Sequence, residues 1–350
     1  MKDDKPRLGL RSSIPFGLTG LPIVVLHLSL VFFFFSNIPV CAQSLTFVEL
    51  NCENLFDCRH DTLKQDLEFT PEGDRHWTRT KFWRKLNNIA QTILSCSSQL
   101  PDLVALVEVE NDSVLHSLTR RSLLRGAGYD YLMTTSPDVR GIDVALLYQP
   151  AVFRPLCYET MAIVPESGMR PTRDILYVKG EQRTGDTLHV FVVHAPSRYG
   201  GERKTRPHRM LVAKRLAAAV DSLLRHSAGS RIIVAGDFND PLASRSLRHL
   251  QRHGLCSATP HVRGTHGARS NYRYHGRWEQ IDHVFCSPSL LSYADTAYVN
   301  DMPFLLEDDL VYGGVKPRRT FDGYRYQQGF SDHLPLVVRF RFSPSVPASP

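Results

Sequence analysis

Three short peptides that lie far apart in the chain place acids, an amide and imidazoles at the ends of apolar stretches. They are Gly236-Asp237-Phe238-Asn239, Gln280-Ile281-Asp282-His283 and Ser331-Asp332-His333. Each follows or contains residues suited to a buried strand, so we expect all three to reach the rim of a sheet. Carboxylate, amide and imidazole groups together suit a divalent cation that acts on phosphate. The pattern therefore predicts one site assembled from distant segments.

Acidic residues also follow two other strand-like runs. Glu108 comes directly after a buried strand, where a carboxylate can bind a hard cation such as Mg²⁺. Alternatively, Glu108 and Glu110 begin the next helix, because the dipole at a helix N-terminus favours acids. Asn51 and Glu53 close the first strand and, since side chains alternate along a strand, face one side. That pair suits a metal or a phosphate, although an Asn-rich turn after a strand has the same composition.

A carboxylate beside a carboxamide can orient a nucleophilic water and hold a phosphate oxygen. Asp237 and Asn239 have the spacing that puts both groups on one side, and Gly236 before them permits a tight exit from the strand. No Ser or Cys nucleophile is needed for such chemistry. Ser197 lacks the Gly-x-Ser-x-Gly elbow of serine hydrolases, so a covalent intermediate is not expected.

Two histidines at strand ends can transfer protons near neutral pH. His333 needs an acid to orient its ring, and its neighbour Asp332 cannot easily reach that ring. Asp282, which emerges from a separate strand, is therefore the predicted partner. His194 is delivered from another strand end, in Val192-Val193-His194-Ala195-Pro196-Ser197. A lone histidine is more often structural, but two among paired acids favour catalysis.

Taken together, these motifs resemble the endonuclease/exonuclease/phosphatase superfamily over about Leu45 to Phe342. The ordered set is Asn-x-Glu, strand-Glu, His-x-Pro-Ser, Gly-Asp-Phe-Asn, Ile-Asp-His and Ser-Asp-His. The superfamily includes pancreatic deoxyribonuclease, abasic-site endonucleases, inositol polyphosphate 5-phosphatases and neutral sphingomyelinases. The resemblance implies a deoxyribonuclease I-like fold, a four-layer α/β sandwich of two mixed sheets flanked by helices.

The resemblance also implies a role for each motif. The cation would be Mg²⁺, with Mn²⁺ or Ca²⁺ as alternatives, and its ligands would be Glu108, Asn51, Glu53 and Asp332. Asp237 and Asn239 would orient water and bind the scissile phosphate. His333, polarised by Asp282, would be a general base or a phosphate-binding imidazole. His194 would protonate the leaving oxygen, with Asp143 as its acid partner.

Two basic segments can set the substrate. Arg198 to Arg209 follows the His194 motif directly, and Arg263 to Arg277 interleaves arginines with tyrosines. Basic residues mixed with aromatic ones suit phosphate backbones and stacked bases, although solvated loops with packing tyrosines look the same. Arg198 and Arg209 are the predicted substrate-binding residues. The expected partner is a phosphate ester, nucleic acid among the candidates, bound by a monomer.

These residues predict a Mg²⁺-dependent phosphoesterase, with a nuclease-like phosphodiesterase as the leading activity. A phosphomonoesterase on inositol or sugar phosphates and a sphingomyelinase are the alternatives within the same chemistry. An alternative of another class is a binding module that kept the scaffold without catalysis. Loss of a metal acid or a histidine would favour that module, and all of these residues are present.

Apolar spacing predicts the elements that position these residues. Strands are expected where β-branched residues cluster and helices where apolar residues recur every three or four positions. Strands and helices alternate unevenly, which favours mixed sheets over a purely parallel one. The predicted strands are 45–50, 103–107, 142–148, 188–193, 232–235, 281–285 and 336–342, and the helices are 77–96, 114–124, 206–226 and 245–251.

The N-terminus has the pattern of a secretory signal. A basic start precedes a long apolar stretch from Leu18 to Val40, and small residues up to Ala42 suit cleavage before Gln43. Export to a periplasmic or extracellular space is therefore expected, with an uncleaved anchor as the alternative. Predicted domains are a signal at 1–42, one domain at 44–342 and a disordered tail at 343–350. Cleavage would change the net charge of the 350-residue chain from +7 to +5, which suits a polyanionic partner or simply solubility.

Overall fold

The computed structural model describes residues 43–342, so the predicted signal and the predicted tail lie outside the described residues. Helices in this part of the chain are short, apart from the third. They are α1 (Arg79–Leu94), α2 (Asp112–Arg121), α3 (Glu202–His226), α4 (Arg245–Arg252) and α5 (Pro288–Leu291). Between residues 43 and 342, none of the helices combines the length and the apolar character that crossing a bilayer requires.

Strands make up most of the regular structure. In chain order they are β1 (Gln43–Leu55), β2 (Leu103–Val109), β3 (Asp130–Met133), β4 (Asp143–Tyr148), β5 (Phe153–Met161), β6 (Ile175–Gln182), β7 (Thr187–His194), β8 (Arg231–Asp237), β9 (Cys256–Ser257), β10 (Tyr272–Tyr274), β11 (Arg277–Glu279), β12 (Asp282–Cys286), β13 (Ala294–Val299), β14 (Leu306–Asp308), β15 (Val315–Pro317), β16 (Phe321–Asp322), β17 (Arg325–Tyr326) and β18 (Leu336–Phe342).

Two six-stranded mixed sheets form the body of the fold. The first has the strand order β13-β18-β1-β2-β4-β3, and the second has the order β5-β6-β7-β8-β12-β9. One pair in each sheet is parallel, β1 with β2 and β7 with β8, whereas the remaining pairs within the two sheets are antiparallel. Inward side chains of both sheets share one buried apolar core, to which β1 contributes Leu45 and Phe47 and β7 contributes Val190 and Val192. The predicted two-sheet α/β sandwich is confirmed.

Helices cover the outer faces of the sheets and complete the layers. α1 and α2 pack apolar residues such as Leu86 and Leu118 against the outer side of the first sheet. α3 and α4 do the same on the second sheet with residues such as Leu216 and Leu250. Each long helix has a polar face toward solvent, as its spacing of apolar residues predicts.

The predicted elements agree best with the observed ones where their residues form the core. The observed helix ends differ from the predicted ends by a few residues. α3 begins at Glu202, one turn before the predicted start at Arg206. Pro207 therefore lies in the second turn of the helix, although proline is best tolerated in the first. α2 begins at Asp112, and the Asn111 side chain caps it by accepting from the Val114 amide at 3.0 Å. Glu108 therefore lies in β2, and the alternative that it begins a helix is wrong.

His189, on β7, makes folding stability depend on pH. Burial and Lys179 lower the pKa of His189 to about 4, and its Nδ1 lies 2.8 Å from the Tyr177 hydroxyl. Because an unfolded chain binds that proton with a pKa near ~6.5, stability should be complete above that pH and fall as the pH drops toward 4. We expect a loss on the order of 1–2 kcal/mol by pH ~5. In urea titrations, the free energy of unfolding of His189→Phe should fall less between pH ~6.5 and pH ~5 than that of the parent. His116→Phe, at an exposed position of α2, should lose as much as the parent. Equal acid sensitivity of all three proteins would contradict this assignment.

Candidate active site

Strand ends from both sheets meet at one rim of the sandwich. β7 ends at His194 beside Asp237 at the end of parallel β8, and Asp282 begins the antiparallel neighbour β12 opposite Asp237. Asn51, near the end of β1 in the other sheet, donates from Nδ2 to Oδ2 of Asp237 at 3.3 Å. The predicted assembly of distant strand ends is present, and Asp237 lies at its centre.

A buried acid–histidine pair forms one side of the site. His333 Nδ1 lies 2.6 Å from Oδ2 of Asp282, and the Asn271 amide also donates to that oxygen. The Ser331 hydroxyl accepts a hydrogen bond from the His333 backbone amide at 3.1 Å. The centroids of the Tyr272 ring and the His333 imidazole are 4.7 Å apart. Burial lowers the pKa of His333, but the carboxylates of Asp282 and its neighbours raise it well above the ordinary histidine value. The ring is therefore held as an imidazolium in a fixed orientation.

Asp237 is held by amides from three directions. Its Oδ1 accepts from the Asn239 backbone at 2.7 Å, and its Oδ2 accepts from Asn239 Nδ2 at 3.0 Å. Asn239 Nδ2 also reaches the Ala195 carbonyl at 3.1 Å, which joins the end of β7 to the loop after β8. Gly236 is required here, because its φ is 142° and a Cβ would meet the Val193 carbonyl oxygen at 1.9 Å. Burial and the nearby Asp282 raise the pKa of Asp237.

Three carboxylates line a cavity of about 230 Å³ beside the imidazole of His333. These are Glu53, Glu108 and Asp332. Glu108 Oε2 accepts from the Asn54 backbone at 2.8 Å, and Glu53 Oε2 accepts from the Thr320 backbone at 2.6 Å. Burial and Asp332 raise the pKa of Glu53, against the opposing effect of Lys85 and Arg319. Clustered carboxylate oxygens around a small polar cavity fit a hard divalent cation such as Mg²⁺.

Backbone strain is concentrated at this rim. Glu53, Asn54, Glu108 and Asn239 have positive φ values of 49°, 58°, 62° and 51°. Such conformations cost free energy in residues other than glycine and persist where the surroundings impose them, often at functional sites. β1 changes register against β2 between Asn51 and Leu55, so the alternation of side chains ends there. As a result Asn51 turns to Asp237 and Glu53 to Thr320, rather than both facing one side as predicted.

A second group of potential ligands overlaps the acid–histidine pair. Asp237, Asp282 and His333 can place one ligand atom each within 4.8 Å of one another. Asp282 Oδ2 and His333 Nδ1 already bind each other, whereas Asp282 Oδ1 has no hydrogen-bond partner within residues 43–342. The rim therefore offers two places for a cation, this group and the cavity of Glu53, Glu108 and Asp332.

The predicted partnership of Asp143 with His194 is wrong. Asp143 accepts hydrogen bonds from the hydroxyls of Thr134, at 2.6 Å, and Ser136. His194 Nε2 instead lies 3.7 Å from Asp237 and 3.8 Å from Glu108, and within residues 43–342 its Nδ1 has no hydrogen-bond partner. Burial and nearby arginines hold the pKa of His194 well below the ordinary value, so its ring is neutral. The carboxylate of Asp143 organises the loop after β3 instead.

The two predicted substrate-binding arginines differ in their positions. Arg198 is partly exposed beside the site, where Nε donates to the Asn239 carbonyl at 2.9 Å and Nη2 pairs with Glu279 at 2.7 Å. Arg209 is only 1% exposed and its Nε lies 2.8 Å from Asp240, so it supports the catalytic loop and cannot contact substrate. That prediction for Arg209 is wrong, because its helical position turns inward.

Sequence reasoning missed three charged residues at the site. Lys85 is buried and donates from Nζ to the Thr320 hydroxyl at 2.6 Å, while its ammonium lies 3.9 Å from Glu53. Arg319 lies between Glu53 and Asp332, at 3.5 Å and 3.2 Å. Glu49 is buried in β1 and, among the residues described, neither of its carboxylate oxygens has a hydrogen-bond partner. An acid at an inward position of an apolar strand was the one signal that pointed to Glu49.

Comparisons with known proteins agree with this fold. Residues 46–341 match the family model described as Endonuclease/Exonuclease/phosphatase family. No curated protein sequence gives a significant match to the chain.

Solved structures of similar fold come from distant relatives. An endonuclease/exonuclease/phosphatase family protein of Bacteroides thetaiotaomicron has a TM-score of 0.59 at 18% identity, covering 86% of this chain and 96% of that one. A mannosyl-6-phosphatase from the same organism gives 0.57 at 18% identity, with 84% and 98% covered. The catalytic domain of human Nocturnin with a bound sulfate anion gives 0.52 at 18% identity, with 86% and 95% covered. At 18% identity these structures show a likeness of fold alone.

Proposed function

The chain belongs to the endonuclease/exonuclease/phosphatase family, and from that premise we propose that it is a Mg²⁺-dependent, nuclease-like phosphodiesterase. The observation that carries the proposal is the placement of an imidazolium, His333, beside a cavity lined by Glu53, Glu108 and Asp332. Phosphate ester hydrolysis needs positive charge on the phosphoryl oxygens, an oriented water and help for the leaving oxygen. Each need has a group at this rim.

A Mg²⁺ ion bound by Glu108 with Glu53 and Asp332 would supply Lewis-acid stabilisation of charge on the phosphate. The predicted ligand Asn51 does not line this cavity, and its Oδ1 accepts from the Glu53 backbone amide at 2.9 Å. His333 donates from Nε2 to a phosphoryl oxygen, because its Nδ1 is held by Asp282. Asn239 binds the phosphate and Asp237 accepts a proton from the attacking water, which its raised pKa favours. Neutral His194 lies beside Asp237 and Glu108, with its Nε2 at 3.7 Å and 3.8 Å from their carboxylates.

A second candidate is hydrolysis of a phosphomonoester on a small sugar. Phe69, Phe321 and Arg75 form part of the wall of the cavity of about 230 Å³. Such a wall suits a compact phosphorylated group more than a long chain that passes through. Among similar folds the mannosyl-6-phosphatase has this class of substrate in its name.

A substrate panel tests the proposal. With Mg²⁺ present we expect cleavage of plasmid DNA and of a bis-aryl phosphodiester, and no cleavage when EDTA is in excess. Inositol phosphates and mannose 6-phosphate would be the matched monoester substrates, assayed by phosphate release. Turnover of monoesters alone would replace the leading activity with the second candidate. Inertness toward every ester in the panel would leave the binding-module alternative.

Export by the N-terminal segment is part of the same proposal. The described part of β1 begins at Gln43, the first residue after the predicted cleavage position. N-terminal sequencing of the protein from the native host should start at Gln43. A start at Met1 in a membrane fraction would instead support the uncleaved anchor.

A further inference from the structure

A basic groove runs between α3 and α4 on the outer layer of the second sheet. The groove has a volume of about 900 Å³, and six cationic side chains line it, namely Arg203, Arg206, Lys214, Arg245, Arg248 and Arg252. Neither a carboxylate nor an aromatic ring of Phe, Tyr or Trp is among its lining side chains. The groove is therefore a concentrated positive surface with little internal neutralisation.

The spacing of these residues makes two facing rows of charge. On α3 the lining residues 203, 206, 207, 210 and 214 recur at three- and four-residue intervals, and on α4 residues 245, 248, 249 and 252 do so. The row on α3 extends about 16 Å along the helix axis at the usual rise per residue. Partial burial together with nearby cations such as Arg252 and Lys214 lowers the pKa of His249, which indicates positive potential within the groove. Arg206 is the exception, because Glu202 pairs with it at 3.0 Å.

The groove is tied to the catalytic loop by its own helices. Asp240 follows the phosphate-binding Asn239 directly, and its carboxylate pairs with Arg209 of α3 at 2.8 Å. The Ser246 hydroxyl of α4 donates to the same carboxylate at 2.5 Å. Both walls of the groove are thus anchored to one residue of the loop that carries Asp237 and Asn239, so the groove has a fixed position relative to the site.

We propose that this groove binds the phosphate backbone of a single-stranded nucleic acid and leads it toward the catalytic loop. The inference rests on the proposed phosphodiesterase function and names its substrate class. Arginine forks suit phosphate oxygens, and contacts to the backbone alone read no bases, so binding without sequence preference is expected. A bilayer is flat and cannot enter a concave groove, which favours a strand over an anionic membrane.

Binding of fluorescein-labelled oligothymidylate in excess EDTA tests the groove without cleavage. The test variant replaces Arg203, Lys214 and Arg245 with Gln, three exposed side chains that make no hydrogen bond or ion pair within residues 43–342. The matched control removes the same charge outside the groove, with Arg121, Arg215 and Arg225 replaced by Gln. We expect the groove variant to bind at least about 10-fold more weakly and its salt slope to fall by about 2, because each lost phosphate contact contributes about 0.7.

The outcomes separate the groove from the chemistry. Equal losses in both triple variants, or no loss in the groove variant at an unchanged thermal midpoint, would overturn the proposal. If the groove variant unfolds, Lys214→Glu alone, compared with Arg215→Glu, provides the same comparison. Binding to phosphatidylglycerol vesicles with no binding to oligothymidylate would assign the groove to a membrane and also overturn the inference. Parallel hydrolysis of a bis-aryl phosphodiester by the parent protein tests the proposed function independently of the groove.

Discussion

Glu108→Gln should lower Mg²⁺-dependent kcat/KM on a phosphodiester by about 10³-fold, since bound metal contributes several kcal/mol to stabilisation of the transition state. Glu108 offers one oxygen to the Asn54 amide at 2.8 Å, and its other oxygen is free for a cation in the cavity. Glutamine can still accept from Asn54, so we expect the fold and the positive φ at this position to persist. What the substitution removes is the negative charge and one hard oxygen ligand.

Metal binding gives a second measurement that does not depend on turnover. A cation that binds the folded chain at 100 times its Kd adds about 2.7 kcal/mol to the unfolding free energy. Mg²⁺ should therefore raise the Tm of the parent protein by several degrees, and Glu108→Gln should abolish most of that rise. Glu110→Gln is the matched control, because Glu110 accepts from the Asp57 amide at 2.6 Å outside the cavity. If Mg²⁺ raised the Tm of Glu108→Gln as much as that of Glu110→Gln, the cation would have to bind outside this cavity.

Residues at strand ends were predictable because local sequence contains both the strand and its polar end. Gly236-Asp237-Phe238-Asn239 follows an apolar run, and only glycine permits the approach of Val193 at that point. The Asp282–His333 pair was predictable by elimination, since an adjacent Asp cannot orient the ring. In each case the chemistry depends on a short segment and on the general rule that strand ends meet at a rim.

Contacts between loops were not predictable in the same way. Lys85 is a core-facing residue of α1, and only the return of the chain near Thr320 brings its ammonium to Glu53. The family resemblance matched Asp143 to His194, but the carboxylate of Asp143 accepts from the hydroxyls of Thr134 and Ser136 instead. Packing between segments that lie far apart in sequence determines these side-chain contacts. A single sequence does not indicate which contacts will form.

The fold shows the same division. Core strands such as β2 and β8 carry continuous apolar runs, and their central residues were predicted, whereas β5 was missed. β5 has mostly exposed residues and includes Pro155, so it lacks the apolar pattern that marks a strand. Short hairpins such as β16–β17 are stabilised by their place over the site, with Phe321 packed against Trp77 at 5.7 Å between ring centroids. Their local sequences carry little strand propensity of their own.

Asp282→Asn should lower kcat by about 10²–10⁴-fold, the range for loss of a proton-handling group or of the acid that orients it. Asp282 keeps His333 charged against the cost of burial, and Asn removes that charge while it preserves the size of the side chain. The pKa of His333 should then fall, so at pH 7 its ring would be neutral and Nε2 would offer less stabilisation to the phosphoryl oxygen. Loss of the Asp282 charge also lowers the pKa of Asp237, which therefore stays a base at lower pH. Since the imidazolium is the active form of His333, activity of the variant should recover partly as the pH is lowered.

That recovery separates a role in charge from a role in structure. A merely structural loss would lower the pH–rate profile of kcat without moving it, whereas loss of the ion pair should shift its alkaline limb toward acid. Asp102→Asn is the matched control, because the Asp102 carboxylate accepts a hydrogen bond from the Thr46 backbone amide at 2.7 Å, away from the site. We expect its profile to overlay the parent. If Asp282→Asn retained the parent profile at any amplitude, His333 would not depend on Asp282 for its charge, and Asp332 or Asp237 would have to supply it.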